Sequence, residues 1–403
     1  MAIVHSFKGW LPKPDKAADI SSVPYDVIST PEAREMAAGK PESYLHVIRP
    51  EINLPEGTPF NAGEVYEKGA ENLRKLLNSS SMEQDEKQSL YIYQLETVKR
   101  KQTGVFACVS VEDYDNDIIL KHELTRPDKE DDRTRHILAQ SAHAEPVMMT
   151  FKDTADITLL MEKIMLTSPP AIELQADDGV RHRIWKVDAP AEFAEAFSGI
   201  PKLYIADGHH RCKSASRVSE KLRKENSSFP GEAEYDYFPA VLFPLDQMEI
   251  LPYNRVIKKM TSAEFERLTS AFNLIEGADP EPVRKGEISI YHDGNWFGLT
   301  LPEPQSDDAV SGLDVALLQN AILSSVFEIK NPRTDSNIDF VGGIRGTSEL
   351  EKLVNEGTAD LAISMYPTAI EELIDVSDEG SLMPPKSTWF EPKIRSGLII
   401  HTF

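Results

Sequence analysis

Short apolar segments separated by polar turns run along this chain, and their spacing predicts a mixture of strands and helices. The apolar run Leu90–Glu96 and residues 104–111 flank a polar loop, which predicts an antiparallel hairpin. Residues 44–49 alternate and predict a strand, and a strand pair is predicted at 238–244 and 249–252. Helices are predicted over residues 31–40, 62–78, 155–166, 190–197, 313–326, 347–356 and 367–374. Because these elements follow no regular strand–helix–strand order, the pattern predicts an α+β fold.

The strongest chemical signal lies where a predicted strand, residues 203–206, runs directly into a predicted helix. Backbone N–H groups at a helix start lack intrahelical partners, so this position favours an anion. Glycine lets a phosphate approach the backbone, and arginine can hold its oxygens in bidentate fashion. The segment predicts a phosphate-binding loop; an ordinary turn with a histidine cap is the structural alternative. The residues of this loop are Asp207, Gly208, His209, His210 and Arg211.

The formal charge of −23 limits the partners of this 403-residue chain. DNA binding depends on Lys and Arg neutralising phosphates, and the sequence has no long basic run, so no nucleic-acid partner is expected. No apolar run reaches membrane-spanning length, so no membrane partner is expected. The two cysteines, Cys108 and Cys212, give neither a disulfide framework nor a zinc quartet, and a cytoplasmic location is expected. The ligand of the loop is therefore expected to be a small molecule.

Two resemblances follow from short motifs. Asp-Gly-His-His-Arg at residues 207–211 resembles the Asp-Gly-His-x-Arg signature of free serine kinases, which belong to the ParB/sulfiredoxin-like superfamily. His122-Glu123 resembles the His-Glu pair of the same kinases, whose glutamate is taken as the base that acts on the substrate hydroxyl. The whole chain also resembles an uncharacterised prokaryotic family, the domain of unknown function 1015. The segments that carry this second resemblance are residues 23–28, 122–125, 252–255 and 383–389.

These resemblances imply a ParB/sulfiredoxin-like core with a mixed sheet, extended at both ends by α/β additions. The division expected along the chain has three regions. Residues 1–103 form an N-terminal α/β region, residues 104–260 form the phosphate-binding core, and residues 261–403 form a C-terminal α/β region. An insertion near residues 150–190 accounts for the long separation between the His-Glu pair and the phosphate loop.

The leading interpretation is a small-molecule phosphotransferase, and the resemblance implies a free serine kinase that converts serine to O-phosphoserine. Such chemistry needs mainly alignment and charge neutralisation. Glu123 would activate the hydroxyl, and Asp207 would hold Mg²⁺ directly or through water. ATP, ADP and pyrophosphate all fit as donors, because the sequence identifies no adenine pocket. Two alternatives stay open: a phosphoserine phosphatase that uses the same residues, and a non-catalytic regulatory protein that binds a nucleotide or another phosphorylated metabolite.

The remaining candidates lie outside the phosphate loop. A proline-stiffened basic segment, residues 383–397, offers two further phosphate ligands, although packing around its aromatic residues explains it equally well. Polar residues of the family-like segments are candidates for contact with substrate or for bracing the loops. The basic candidates are Lys386 and Arg395, and the polar candidates are Tyr25, Asp26, Tyr253, Asn254 and Arg255.

A charged helix is predicted just after Thr125, with Thr125 as its N-cap and Pro127 in its first turn. Its helical spacing puts four titratable residues on one face, and a face of this composition is usually exposed to solvent. The expected arrangement is therefore a solvated, charged helix face. The four residues are Lys129, Asp132, Arg133 and His136.

Overall fold

The computed structural model describes residues 1–226 and 231–403. The strands are β1 (Val4–His5), β2 (Trp10–Pro12), β3 (Met82–Gln84), β4 (Leu90–Glu96), β5 (Lys101–Ser110), β6 (Ile119–Leu120), β7 (Ala142–His143), β8 (Val147–Phe151), β9 (Ile172–Gln175), β10 (Arg181–Val187), β11 (Leu203–Asp207), β12 (Tyr237–Pro244), β13 (Ile250–Leu251), β14 (Tyr253–Ile257), β15 (Ile275–Glu276), β16 (Glu287–His292), β17 (Asn295–Thr300), β18 (Ile338–Gly342), β19 (Leu361–Met365), β20 (Trp389–Phe390) and β21 (His401–Thr402). The α-helices are α1 (Ala17–Ile20), α2 (Thr30–Met36), α3 (Leu45–Ile48), α4 (Gly63–Leu77), α5 (Val111–Asp115), α6 (Pro127–Gln140), α7 (Asp156–Thr167), α8 (Pro190–Ser198), α9 (His209–Glu225), α10 (Ser262–Ala271), α11 (Asp314–Leu318), α12 (Gly346–Asn355) and α13 (Ile370–Asp378).

The chain divides into two compact units. Unit 1 contains residues 1–121, 125–248 and 392–403, and unit 2 contains residues 122–124 and 249–391. Unit 2 is therefore inserted in the sequence of unit 1, whose last segment follows it. The three-region division expected from the sequence stays a prediction, and β5 runs through its first boundary at residue 103.

Unit 1 is built on a nine-stranded sheet. Eight strands lie in the order β6-β11-β8-β12-β5-β4-β10-β9, and β1 pairs with β5. The β6–β11 and β8–β12 pairs are parallel and the other pairs are antiparallel, so the sheet is mixed. The predicted α+β class with a mixed sheet is confirmed. The core against this sheet is apolar and fully buried, and includes Val105, Met149, Phe193, Ile205 and Leu242.

Unit 2 contains a six-stranded antiparallel sheet in the order β15-β17-β16-β19-β14-β18. The helix α12 packs on this sheet through Leu350, which is fully buried with Val256, Tyr291 and Ala362. A short separate pair joins β13 to β20.

Several sequence predictions of local structure can now be compared with the fold. The hairpin is confirmed, because β4 pairs with β5 from Tyr91–Phe106 to Glu96–Lys101. The strand predicted at residues 44–49 is wrong: α3 forms there, and Leu45 and Ile48 are three residues apart on one buried helical face. The pairing predicted between residues 238–244 and 249–252 is also wrong, because β12 pairs with β5 and β8, whereas β13 pairs with β20.

Within residues 1–226 and 231–403, the structure contains no helix with both the length and the apolar composition needed to span a membrane.

Candidate functional site

The candidate phosphate loop forms where β11 ends and α9 begins. Four of the five β11 residues are buried, and the register with β8 shifts between Ile205 and Asp207, which leaves Ala206 as an extra residue. Such a bulge redirects the side chains that follow it. Gly208 then adopts a left-handed conformation with φ of 105°, which residues with a β-carbon rarely adopt. A β-carbon at this position would lie 3.0 Å from Nε of Arg211. The loop therefore needs glycine for both its backbone conformation and its packing.

The Arg211 side chain turns back onto the end of its own strand. Its Nη2 donates to Asp207 Oδ2 at 2.8 Å, and its Nη1 donates to the carbonyl oxygen of Pro146. Only 8% of this side chain is exposed. Burial lowers the pKa of Arg211, but the carboxylates of Asp207 and Asp26 outweigh that effect and hold the pKa above its ordinary value. Arg211 is therefore a fixed cation inside the loop.

A second cation, Lys393, reaches Asp207 from the segment that follows unit 2. Its Nζ lies 3.3 Å from Asp207 Oδ1, and the Lys393 side chain is 16% exposed. Burial raises the pKa of Asp207, but Lys393 and Arg211 outweigh burial and hold this pKa well below its usual range. Two cationic side chains thus flank the Asp207 carboxylate.

As arranged here, Asp207 does not fit a ligand of Mg²⁺. Each of its oxygens accepts from a cationic side chain, and both cations would repel a divalent metal ion. Across the two described stretches of the chain, no group of three His, Cys, Asp or Glu residues is arranged to hold a metal ion. The surroundings of Asp207 favour an anion.

The two histidines occupy the first turn of α9, which contains no acidic residue. His209 is 5% exposed. The backbone N–H of Arg126 donates to Nε2 of His210 at 3.1 Å. This bond joins the start of α9 to the N-cap residue of α6. The helix start therefore presents backbone donors to an anion without a competing carboxylate in its first turn.

Tyr25 and Asp26 lie in the same unit as the loop. The Tyr25 backbone N–H donates to Glu145 Oε1 at 3.1 Å, and the Arg133 guanidinium lies 4.1 Å from the centre of the Tyr25 ring. Asp26 is exposed, and its negative charge contributes to the raised pKa of Arg211. The Tyr25–Asp26 turn is thus coupled electrostatically to the loop.

The prediction of a solvated face on α6 is wrong. Asp132, Arg133 and His136 are all buried. Arg133 donates through Nε and Nη2 to Asp132 Oδ2 at 2.9 and 2.7 Å, so these two charges compensate each other. Charges are buried when a partner satisfies them. The predicted N-cap is also displaced by one residue: Arg126 is the N-cap, and the Thr125 hydroxyl donates to Glu130.

Arg395, the remaining basic candidate of unit 1, contacts residues other than those of the phosphate loop. Arg395 is buried, and its guanidinium lies 3.4 Å from the Ser21 carbonyl oxygen and 3.6 Å from Asp178. Within the same segment, Lys393 rather than Arg395 contacts Asp207.

In unit 2, three sequence candidates come together. Arg255 is 3% exposed; it donates to the carbonyl oxygen of Tyr253 and, at 3.1 Å, to that of Lys386. The Lys386 Nζ lies 5.3 Å from the centre of the Tyr253 ring. Asn254 is buried and accepts from the backbone N–H of Met365 at 2.9 Å, so it links β14 to the end of β19. Asn254 therefore braces the sheet of unit 2.

Glu123 also belongs to unit 2, where it is partly exposed. The carbonyl oxygen of the preceding residue, His122, accepts from the backbone N–H of Met383 at 2.8 Å. The role of Glu123 as a base stays a prediction.

A small cavity of about 30 Å³ lies beside Arg211. Its lining includes Arg133, His136, His143 and Glu145. A cavity needs roughly 10–15 Å³ to hold one water molecule, so this one has room for water but not for a nucleotide or phosphoserine. Apolar residues, among them Ile48 and Phe238, complete the lining, so it is a small space of mixed character within the fold rather than a substrate pocket.

Because Asp207 is paired with Arg211 and Lys393, we expect its contribution to the stability of the fold to decrease at acidic pH. A carboxyl group with a lowered native pKa contributes stability that is complete above its unfolded pKa of about 3.9 and is lost as pH falls below it. We expect the difference in free energy of unfolding between wild type and Asp207→Asn to shrink by about 1 kcal/mol between pH 5 and pH 3. Urea unfolding monitored by circular dichroism measures this difference. Asp188→Asn, at an exposed position, is the control, and a pH-independent difference for Asp207→Asn would contradict the expectation.

The sequence analysis missed two residues of this region, Lys393 and Glu145. Lys393 stood within the basic segment that was singled out, so a comparison of all its cations could have found it. Glu145 has no local signal, because its contacts come from segments distant in sequence.

The chain is similar to a family of proteins and to several solved structures. A family described as "Protein of unknown function (DUF1015)" matches residues 4–316. None of the curated proteins matches the chain. Among solved structures, a variant of a free serine kinase in complex with AMP is 13% identical, with 73% of this chain and 92% of that chain covered and a TM-score of 0.39.

Two further solved structures are similar to a comparable extent. A conserved hypothetical protein from Pyrococcus furiosus is 14% identical, with 73% of this chain and 95% of that chain covered and a TM-score of 0.37. SbnI from Staphylococcus aureus, with a C-terminal truncation, is 13% identical, with 72% and 85% covered and a TM-score of 0.38.

Proposed function

The chain belongs to the family of proteins of unknown function DUF1015, and we propose that it is a small-molecule phosphotransferase, specifically a free serine kinase. The observation that carries this proposal is the loop at the start of α9. There, a left-handed glycine, a helix start without acidic residues, the buried Arg211 and the partly buried Lys393 converge on one short segment. The motif Asp-Gly-His-His-Arg, with its resemblance to the free serine kinases, supports the choice of reaction.

The loop residues would bind the phosphoryl group that is transferred. Backbone N–H groups of the first turn of α9 donate to its oxygens, and the positive charges of Arg211 and Lys393 neutralise charge that develops in the transition state. Because the Arg211 side chain is bonded to the strand end, its charge is preorganised and needs little rearrangement when the ligand binds.

The transfer itself exchanges one P–O bond for another. The serine hydroxyl oxygen attacks the terminal phosphorus of the donor, a bond forms between them, and the bond from phosphorus to the leaving oxygen of the donor breaks. The carboxylate of Glu123 accepts the hydroxyl proton. ATP, ADP or pyrophosphate would supply the phosphoryl group, and the step requires no metal ligand from Asp207.

A donor screen tests this function. Purified protein is incubated with serine and ATP, ADP or pyrophosphate, each with and without Mg²⁺, and O-phosphoserine is measured by phosphorus NMR. We expect O-phosphoserine with at least one donor. Lys393→Met should reduce its formation tenfold or more, because the variant removes a cation from the loop.

Lys224→Met is the matched control, since Lys224 lies at the far end of α9 with its side chain 72% exposed. The control should retain wild-type activity. Hydrolysis of O-phosphoserine without transfer from any donor would replace the proposal by a phosphatase. Binding of nucleotide without either reaction would replace it by a regulatory binding protein.

A further inference from the structure

Glu145 is a buried carboxylate at the meeting point of several segments of unit 1. Its side chain is 5% exposed. Its Oε1 accepts from the backbone N–H of Tyr25 and from the hydroxyl of Ser396, both at 3.1 Å. Its Oε2 lies 3.8 Å from Nη1 of Arg133. One carboxylate thus contacts segments about 120 residues before it and 250 residues after it in sequence.

Each of these segments leads to the phosphate loop. Tyr25 precedes Asp26, whose charge acts on Arg211. Ser396 follows Lys393 by three residues, and Lys393 contacts Asp207. The residue after Glu145, Pro146, accepts directly from Arg211. Glu145 therefore contacts or adjoins the segments that carry Asp26, Lys393 and the acceptor of Arg211.

The charge of Glu145 interacts with two buried arginines. Burial raises the pKa of Glu145, while Arg211 and Arg133 oppose this rise, so the two arginines favour the ionised carboxylate. Conversely, Glu145 helps to keep both buried arginines charged. Removal of one member of such a group leaves the others buried without full compensation.

We propose that Glu145 is a positioning residue of the phosphate site, which fixes the Tyr25–Asp26 turn and the 393–396 segment around the Asp207–Arg211 loop. This inference rests on the proposed function for the identity of the ligand, but the positioning itself does not depend on which reaction occurs. Glu145 acts through Arg211, Tyr25 and Ser396 rather than through contact with the substrate.

Two variants separate its contributions. Glu145→Ala removes both the charge and the acceptor oxygen. Glu145→Gln keeps an acceptor oxygen for Tyr25 and Ser396 and removes only the charge. The matched control is Asp236→Ala, because Asp236 is also a buried carboxylate with three donors, Ser219, Arg223 and Ala233, and these lie around the later turns of α9.

The first measurement is amide hydrogen exchange of the protein without ligand. In Glu145→Ala, we expect exchange to become at least tenfold faster in residues 22–28, 207–213 and 393–398. Glu145→Gln should restore much of the protection in the first and last segments. Asp236→Ala should accelerate exchange near its own contacts and leave these three segments unchanged.

The second measurement is binding of inorganic pyrophosphate and of ADP by calorimetry. Affinity for the probe that binds wild type should fall at least tenfold in Glu145→Ala and by an intermediate factor in Glu145→Gln. If the three segments of Glu145→Ala exchange as in wild type, the positioning role is overturned, even where transfer to serine is observed. If exchange changes as expected but neither probe binds wild type, the positioning role stands and the proposed function fails.

Discussion

Replacing Arg211 by alanine is expected to destabilise unit 1 by about 3–5 kcal/mol, as for other buried ion pairs that lose one member. The reason is that Asp207, Glu145 and the Pro146 carbonyl oxygen would all lose a buried cationic partner. Urea unfolding gives the change in the free energy of unfolding. Calorimetry with ADP or pyrophosphate should show affinity weaker by about 1.5–3 kcal/mol in any fraction that remains folded.

Arg217→Ala is the matched control for this prediction. Arg217 lies on the same helix but is 34% exposed, and it pairs with Glu130 and Asp131 near the surface. Its loss should cost roughly 1 kcal/mol or less. Arg211→Lys should lose less stability than Arg211→Ala, because it keeps the positive charge. It should still be less stable than wild type, because one ammonium group cannot reproduce the two bonds that the guanidinium donates to Asp207 and Pro146. Equal free energies of unfolding for Arg211→Ala and Arg217→Ala would contradict the prediction, because the buried pair would then stabilise the fold no more than the exposed one.

Replacing Glu123 by glutamine should lower the turnover of serine phosphorylation by about a hundredfold or more and leave the KM for the donor almost unchanged. The amide keeps the size of the side chain but cannot accept the hydroxyl proton. Steady-state kinetics with the donor identified by the screen measures both constants. Asp128→Asn is the control, because this exposed carboxylate lies five residues away and pairs with Arg126. Turnover close to wild type in Glu123→Gln would assign the base to another residue.

The loop at residues 207–211 could be predicted from the sequence because its geometry is local. An apolar strand, a glycine and a helix that starts at once lie within a few residues, so neighbouring side chains determine the turn. The hairpin of β4 and β5 was predictable for the same reason. Short-range patterns carry enough information when the residues that form the element are neighbours in sequence.

The surroundings of the loop could not be predicted in the same way. Lys393 contacts Asp207 across 186 residues of sequence, and Ser396 contacts Glu145 across 251. No periodicity connects such positions. The face of α6 was mistaken for a solvated one because the partners that permit its burial, Glu145 and Tyr66 among them, belong to other elements. Charged residues in a helix therefore give no reliable sign of exposure when their partners lie elsewhere in the chain.

The return of residues 392–403 to unit 1 has a consequence for how the protein is made. During synthesis, the ribosome produces Asp207 and Arg211 long before it produces Lys393 and Ser396, and all of residues 249–391 are made in between. Domains generally fold as they emerge, at synthesis rates of about 5–20 residues per second. Unit 2 can therefore fold while unit 1 still lacks the cation that contacts Asp207 and the hydroxyl that donates to Glu145. A nascent chain arrested before residue 392 would carry the complete Asp-Gly-His-His-Arg motif and still lack the contacts that Lys393 and Ser396 add to the proposed phosphate site.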